Sequence, residues 1–150
     1  MEPEAIQAIA QLFAEAMNQL AFISAIIGGF AVALLAGVLG RERSTLTRWT
    51  VGTLSAAALL QISCTMFFTM ISFRILILSA NRKFDELIKL IDGIDPSLTP
   101  FVIAFLGSFL LFFIGIALTG WLFGRITGWL ASGVALVASI LALYGLAVVM

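Results

Sequence analysis

Histidine is absent from the 150 residues, cysteine occurs once, and eight basic residues balance eight acidic ones to zero net charge. Each shortage excludes something. Without a surplus of Lys and Arg there is no basic patch for a phosphate backbone, so a nucleic-acid partner is not expected. Cys64 has no second cysteine to pair with inside the chain and, lying in an apolar run, is silent about redox compartment. An enzyme working inside a bilayer needs ionisable groups, a metal cluster or an activated nucleophile at depth. The long apolar runs contain no Asp, Glu, Lys, Arg or His, so the chain is not expected to be an enzyme, and the sequence offers no catalytic residue, metal ligand or cofactor site. Cys64 and the scattered serines have no base beside them and read as small packing residues. A proton-coupled antiporter of the small multidrug type, which needs a carboxylate in the membrane, is disfavoured because the first apolar run has none. The first twenty residues are not expected to be a signal peptide, since they carry Glu2, Glu4 and Glu15, no Lys or Arg, and no short apolar core.

What is present is apolar. Hydrophobic residues make up 62% of the chain and mean hydropathy is +1.17, which places it in the membrane class. The first run, Ala21 to Leu39, reads AFISAIIGGFAVALLAGVL without a charge; as a helix it is roughly 28 Å long, close to the hydrocarbon thickness of a bilayer. Ala25, Gly29, Ala33 and Gly37 recur every fourth residue and leave one face nearly bare of side chains, with Phe22, Ile26 and Phe30 beside it. Before this run, Glu4, Gln7, Gln11, Glu15 and Asn18 form a polar stripe of helical period that continues into the small-residue line. The periodicity predicts one helix from about residue 4 to residue 39; the alternative is an interfacial amphipathic helix followed by an independent span.

Three further runs follow, and together they predict an all-α polytopic membrane protein with four transmembrane helices in a single membrane domain, residues 1–150. Span two covers about 51–73, span three about 101–123 and span four about 126–150. The connection Gly40 to Trp49 carries Arg41, Arg43 and Arg48, suited to a headgroup layer, with Trp49 as an aromatic anchor and Trp121 and Trp129 at the same face. On span two, Gln61, Thr65, Thr69 and Ser72 share a face and are expected to bond to neighbouring helices. Beyond it, residues 74–92 continue in helical pattern as a stalk, so the first and second helices are both expected to extend past the bilayer. Asp92-Gly93 is the expected stop, with Asp95-Pro96 or Thr99-Pro100 starting the next helix. Structurally the stalk is expected to pack on the segment before span one; functionally it is a candidate surface for a soluble partner. A hairpin at Gly124-Arg125 joins spans three and four, and Gly128, Ser132, Ala135, Ser139 and Ala142 form a small-residue seam on the last. Both termini fall on one side, but Arg41, Arg43, Arg48 and Arg125 on one face match Arg74, Arg82, Lys83 and Lys89 on the other, so charge does not decide which.

Ser24 to Val38, SAIIGGFAVALLAGV, resembles the first, pore-lining helix of the Orai family of calcium channels, in Ser24-Ala25, two branched aliphatics, a small residue, Gly29-Phe30-Ala31 and Val38. The Ser-Cys-Thr sequence at Ser63 to Thr65 falls in the second span, where that family is similarly polar. The resemblance implies a homo-oligomer, a hexamer in that family, with copies of the first helix around a central pore and with cytosolic termini. It carries the pore line onto Phe22, Ile26, Gly29, Phe30, Ala33 and Gly37; Glu15 and Asn18, on the terminal side, are read from the sequence itself as a vestibule that continues the line. Two positions depart from the family. Gly37 stands where the family places its selectivity carboxylate, and Glu15, Asn18 and Phe22 stand where it has basic residues. The calcium filter is therefore missing, since a ring of glycine offers no charge to replace an ion's hydration shell. Expected is an oligomeric ion channel, cation-leaning through Glu15, with a hydrophobic gate at Phe22, Ile26 and Phe30. The alternative is a non-conducting four-helix assembly or interaction protein; a lipid or small-solute carrier lacks broken helices and buried charge.

Overall fold

Small and apolar residues alternating at steps of three and four dictate helix, and the computed structural model is helical nearly throughout: α1 (Pro3–Leu39), α2 (Thr45–Ala80), α3 (Phe84–Phe123) and α4 (Arg125–Val149). It describes residues 3–42 and 44–149, with the side chains of residues 3, 92, 94–98, 142, 143 and 145–149 left aside. Arg43, Met150 and the side chain of Ala142 therefore lie outside the described residues. Among those described, Glu4–Leu39, Thr45–Ala80 and Thr99–Phe123 are long and apolar enough to cross a membrane, while the apolar segment Arg125–Leu141 is shorter. These are the features of a helical membrane protein. At 37 and 36 residues, α1 and α2 are each roughly 54 to 56 Å long, well beyond the hydrocarbon thickness.

The helix ends have local causes. Ser44 caps α2, its Oγ accepting the Thr47 backbone N–H at 3.1 Å while Thr47 Oγ1 donates to the Glu42 carbonyl at 2.9 Å. At the other end Lys83 N bonds to Leu78 O at 3.0 Å and Arg82 N to Ser79 O at 3.1 Å, with Arg82 at φ 54°. This paired closure is a Schellman motif, with arginine in the left-handed position glycine usually fills. The break between α2 and α3 thus falls at Asn81–Lys83 and not at Asp92-Gly93, and residues 84–92 begin α3 instead of ending α2. No helix starts at Asp95-Pro96 or Thr99-Pro100 either. A proline removes one bond of the ladder, and α3 is packed on both sides of its prolines, through Leu87, Leu90 and Ile91 before them and Ala104 and Phe105 after. Asp85 and Glu86 lie in its first turn, where the helix dipole favours acids.

Contacts divide the chain into two compact units, Met1–Ile26 with Ile62–Phe105, and Ile27–Gln61 with Leu106–Met150. In the first, Ala10, Ala14, Met17 and Ala21 are buried on α1 and Cys64, Phe68, Ser72 and Ile75 on α2. Leu87, flanked by Phe84 and Ile91, packs with Ala10, Ala14, Ile75 and Leu78, so the start of α3 does lie on the segment of α1 before the apolar run. Ser72 Oγ donates to the Ala14 carbonyl at 3.0 Å and Thr65 Oγ1 reaches the Ala21 carbonyl at 3.5 Å, so these two act as helix glue; Gln61, at the edge of the second unit, is fully buried. Thr69, expected with them, is exposed. Phe67 stacks on Phe101 and Phe68 meets Phe105 edge-on, pairs worth about 0.5–1.5 kcal/mol each beyond their buried area.

In the second unit Ala31, Ala57 and Ala58 pack with Leu111 and Phe112. Gly124, at φ 142°, is the single residue between α3 and α4, and Thr127 Oγ1 lies 2.9 Å from the carbonyls of both Gly120 and Gly124. The seam on α4 meets α3: Trp121 Nε1 donates to Ser132 Oγ at 3.1 Å, and a Cβ on Gly128 would fall 2.5 Å from the Trp121 ring. Ser139 returns its bond to the Ala135 carbonyl of its own helix. Arg41 donates to the Leu122 carbonyl at 2.8 Å and lies 3.9 Å over the Phe123 ring, closing the C-terminal end of α3.

Two stability predictions follow from these contacts. A Cβ on Gly120 would lie 2.8 Å from the Thr127 backbone oxygen and against Ala131, so Gly120→Ala should destabilise by about 1–3 kcal/mol, read as a lower SDS midpoint by circular dichroism. Arg82→Gly relieves the left-handed position and should stabilise by roughly 0.5–1 kcal/mol; a fall in midpoint would contradict the strain.

Candidate functional site

α1 buries one face and leaves another bare. The buried line continues Ala10, Ala14, Met17 and Ala21 through Ser24 and Ala31 to Val38. Nearly half a turn away runs a second, broader line, and every sequence-predicted site residue is on it and exposed: Glu15, Asn18, Phe22, Ile26, Gly29, Phe30, Ala33 and Gly37. Phe22 is 66% and Phe30 61% exposed, a large apolar surface to leave uncovered. From Glu15 to Gly37 the face is roughly 33 Å long. It begins at carboxylate and amide groups and ends at glycine.

The bareness is physical as well as compositional. A Cβ added at Gly29 or at Gly37 would meet nothing within 4 Å, whereas Gly120 and Gly128 are filled against α3–α4 neighbours. Gly120 and Gly128 are thus consumed inside the chain, while Gly29 and Gly37 are left open, as are Gly52, Gly107 and Gly133. Ser24, which opens the stretch resembling Orai, belongs to the buried line, and its Oγ has no hydrogen-bond partner among the described residues. Also among the described residues, no three of His, Cys, Asp and Glu gather as metal ligands do.

Sequence periodicity missed one constellation. Arg74 and Lys89, treated above only as charges flanking the spans, line a common groove with Glu86, Phe67, Ile71 and Leu78. They come from two helices separated by the Asn81–Lys83 turn. No spacing rule along one helix brings them together.

Comparison with protein-family models, curated proteins and solved structures gives no match.

Since the outer face is empty, Gly29→Ala should leave the fold intact and raise stability by up to about 1 kcal/mol through helix propensity. The same SDS titration that reports a loss for Gly120→Ala measures it, and a comparable loss at Gly29 would mean the face is covered within the chain.

Proposed function

We propose that the protein is a homo-oligomeric membrane channel in which copies of α1 surround an axis and present the line from Glu15 to Gly37 to it. The observation that carries this reading is that all eight residues of the line share one exposed face of α1. In this reading the chain crosses the bilayer four times, α4 being the fourth span, and both termini lie on one side, the cytoplasmic one by the likeness to Orai. That likeness also favours a hexamer.

The conduction path follows from the order of residues along α1. Glu15 and Asn18 form a vestibule that concentrates cations by charge. Rings of Phe22, Ile26 and Phe30, each about 6 Å apart along the axis, form a constriction that holds no water when narrow and so gates by dewetting. Gly29, Ala33 and Gly37 add no bulk and no charge, so selectivity rests on the vestibule and is correspondingly modest. Close approach of bare helix faces supplies the assembly contact, since in lipid helices associate by packing and not by a hydrophobic effect.

A second reading rests on the same open glycines: the face serves assembly without conducting, and the exposed Arg82, Lys83 and Glu86 recruit a soluble partner. Native mass of the detergent-solubilised protein separates these from a monomer, and flux separates them from each other. A closed ring of five or more subunits is expected, lost in a Gly29→Leu, Gly37→Leu double variant that still folds. In liposomes Phe30→Ser should raise ion leak about tenfold or more by wetting the constriction, and Glu15→Gln should lower cation preference. Rings without leak in either form leave the assembly reading; monomers remove both.

A further inference from the structure

Along α2 one charge interrupts a long uncharged stretch. From Trp49 to Ala80 the only ionisable side chain with a formal charge is Arg74. Arg48 and Arg74 are 26 residues apart, roughly 39 Å along the helix, which matches the 40–45 Å between the two headgroup layers of a bilayer. With Arg48 in one headgroup layer, this spacing brings Arg74 to the other and puts the helix on the Phe67 side of it in hydrocarbon.

At that level the first unit carries two adjoining pockets, of about 750 and 520 Å³, which share Phe67, Ile71, Arg74, Leu78, Glu86 and Leu90. Each is within the roughly 300–1,000 Å³ of small-molecule sites. The walls are mostly apolar, and the polar groups are concentrated on Arg74, Glu86 and, in the smaller pocket, Lys89. Glu86 is already engaged by Lys83 at 2.9 Å. Neither Arg74 nor Lys89 forms an ion pair with a carboxylate among the described residues. The groove thus combines an apolar floor with two cations, Arg74 and Lys89, that form no ion pair among the described residues, and one carboxylate, Glu86, already engaged by Lys83.

We propose that this groove is a binding site for an anionic phospholipid, whose phosphate bridges Arg74 and Lys89 and whose acyl chain lies over Phe67 and Ile71. A guanidinium is suited to a phosphate because it donates two parallel hydrogen bonds, and the ammonium adds a second charge. A soluble anion would use the cations and leave the apolar floor idle. A zwitterionic lipid would bring its own cation towards Arg74. The site is independent of whether α1 conducts.

The test is made on the full chain, reconstituted in nanodiscs of equimolar phosphatidylglycerol and phosphatidylcholine with matched acyl chains. Lipid that stays bound after gentle detergent extraction is counted by native mass spectrometry. Phosphatidylglycerol should be enriched, and Arg74→Gln and Lys89→Gln should each reduce the enrichment by about fivefold, the effect expected of one basic residue near a membrane phosphate. Glu86→Gln removes the opposing charge and should raise it, a gain that a misfolded variant cannot give. Millimolar inorganic phosphate should displace nothing. Equal retention of both lipids, enrichment unchanged in the Arg74→Gln, Lys89→Gln double variant, or displacement by inorganic phosphate would each overturn the site.

Discussion

Close approach of helices through small side chains is the constraint on which this structure depends. In lipid the tails are as apolar as leucine, so burying apolar surface between helices gains little, and cohesion comes from packing contacts and from hydroxyls that bond across helices. Ala10, Ala14 and Ala21 let α2 and α3 approach α1 in the first unit, and Ala31, Ala57 and Ala58 do the same in the second. The bond from Ser72 to the Ala14 carbonyl is possible only because nothing larger than a methyl group stands at residue 14. Larger residues then fill what remains, as Phe68 and Phe105 do around Met17 and Ala21.

The same constraint gives the outer face of α1 its meaning. A chain that places small residues at several of its helix contacts also carries Gly29 and Gly37, like Gly52, Gly107 and Gly133, where they meet nothing. A bare helical face in lipid lets another helix approach closely. That asymmetry between consumed and unconsumed seams distinguishes the candidate site from the hairpin of α3 and α4, although both look alike as spacing.

Legibility in the sequence followed the range of the interaction. The unbroken α1 was readable because one stripe of polar and then small residues kept its phase from Glu4 to Gly37, and the face of the candidate site came with it. The break after α2 was not readable. It is set by the left-handed Arg82, and arginine carries no turn signal, while Gly93, Pro96 and Pro100 carry strong ones that packing around α3 overrides. Thr69 and Ser72 looked equivalent on a helical wheel; only Ser72 met a carbonyl, because a hydroxyl is glue solely where a neighbour lies opposite. The groove of Arg74 and Lys89 was illegible for the same reason, since it joins residues across a turn whose position was itself hidden.

The joint at Gly124 has a mechanical consequence. One residue leaves no slack between α3 and α4, and Thr127 ties both sides of it through the carbonyls of Gly120 and Gly124. On the other side, Arg41 grips the last turn of α3 through the Leu122 carbonyl and the Phe123 ring, just beyond the end of α1. Tilting α4 against α3 would strain both contacts of Thr127, and shifting the last turn of α3 would strain the contacts of Arg41, just beyond the end of α1.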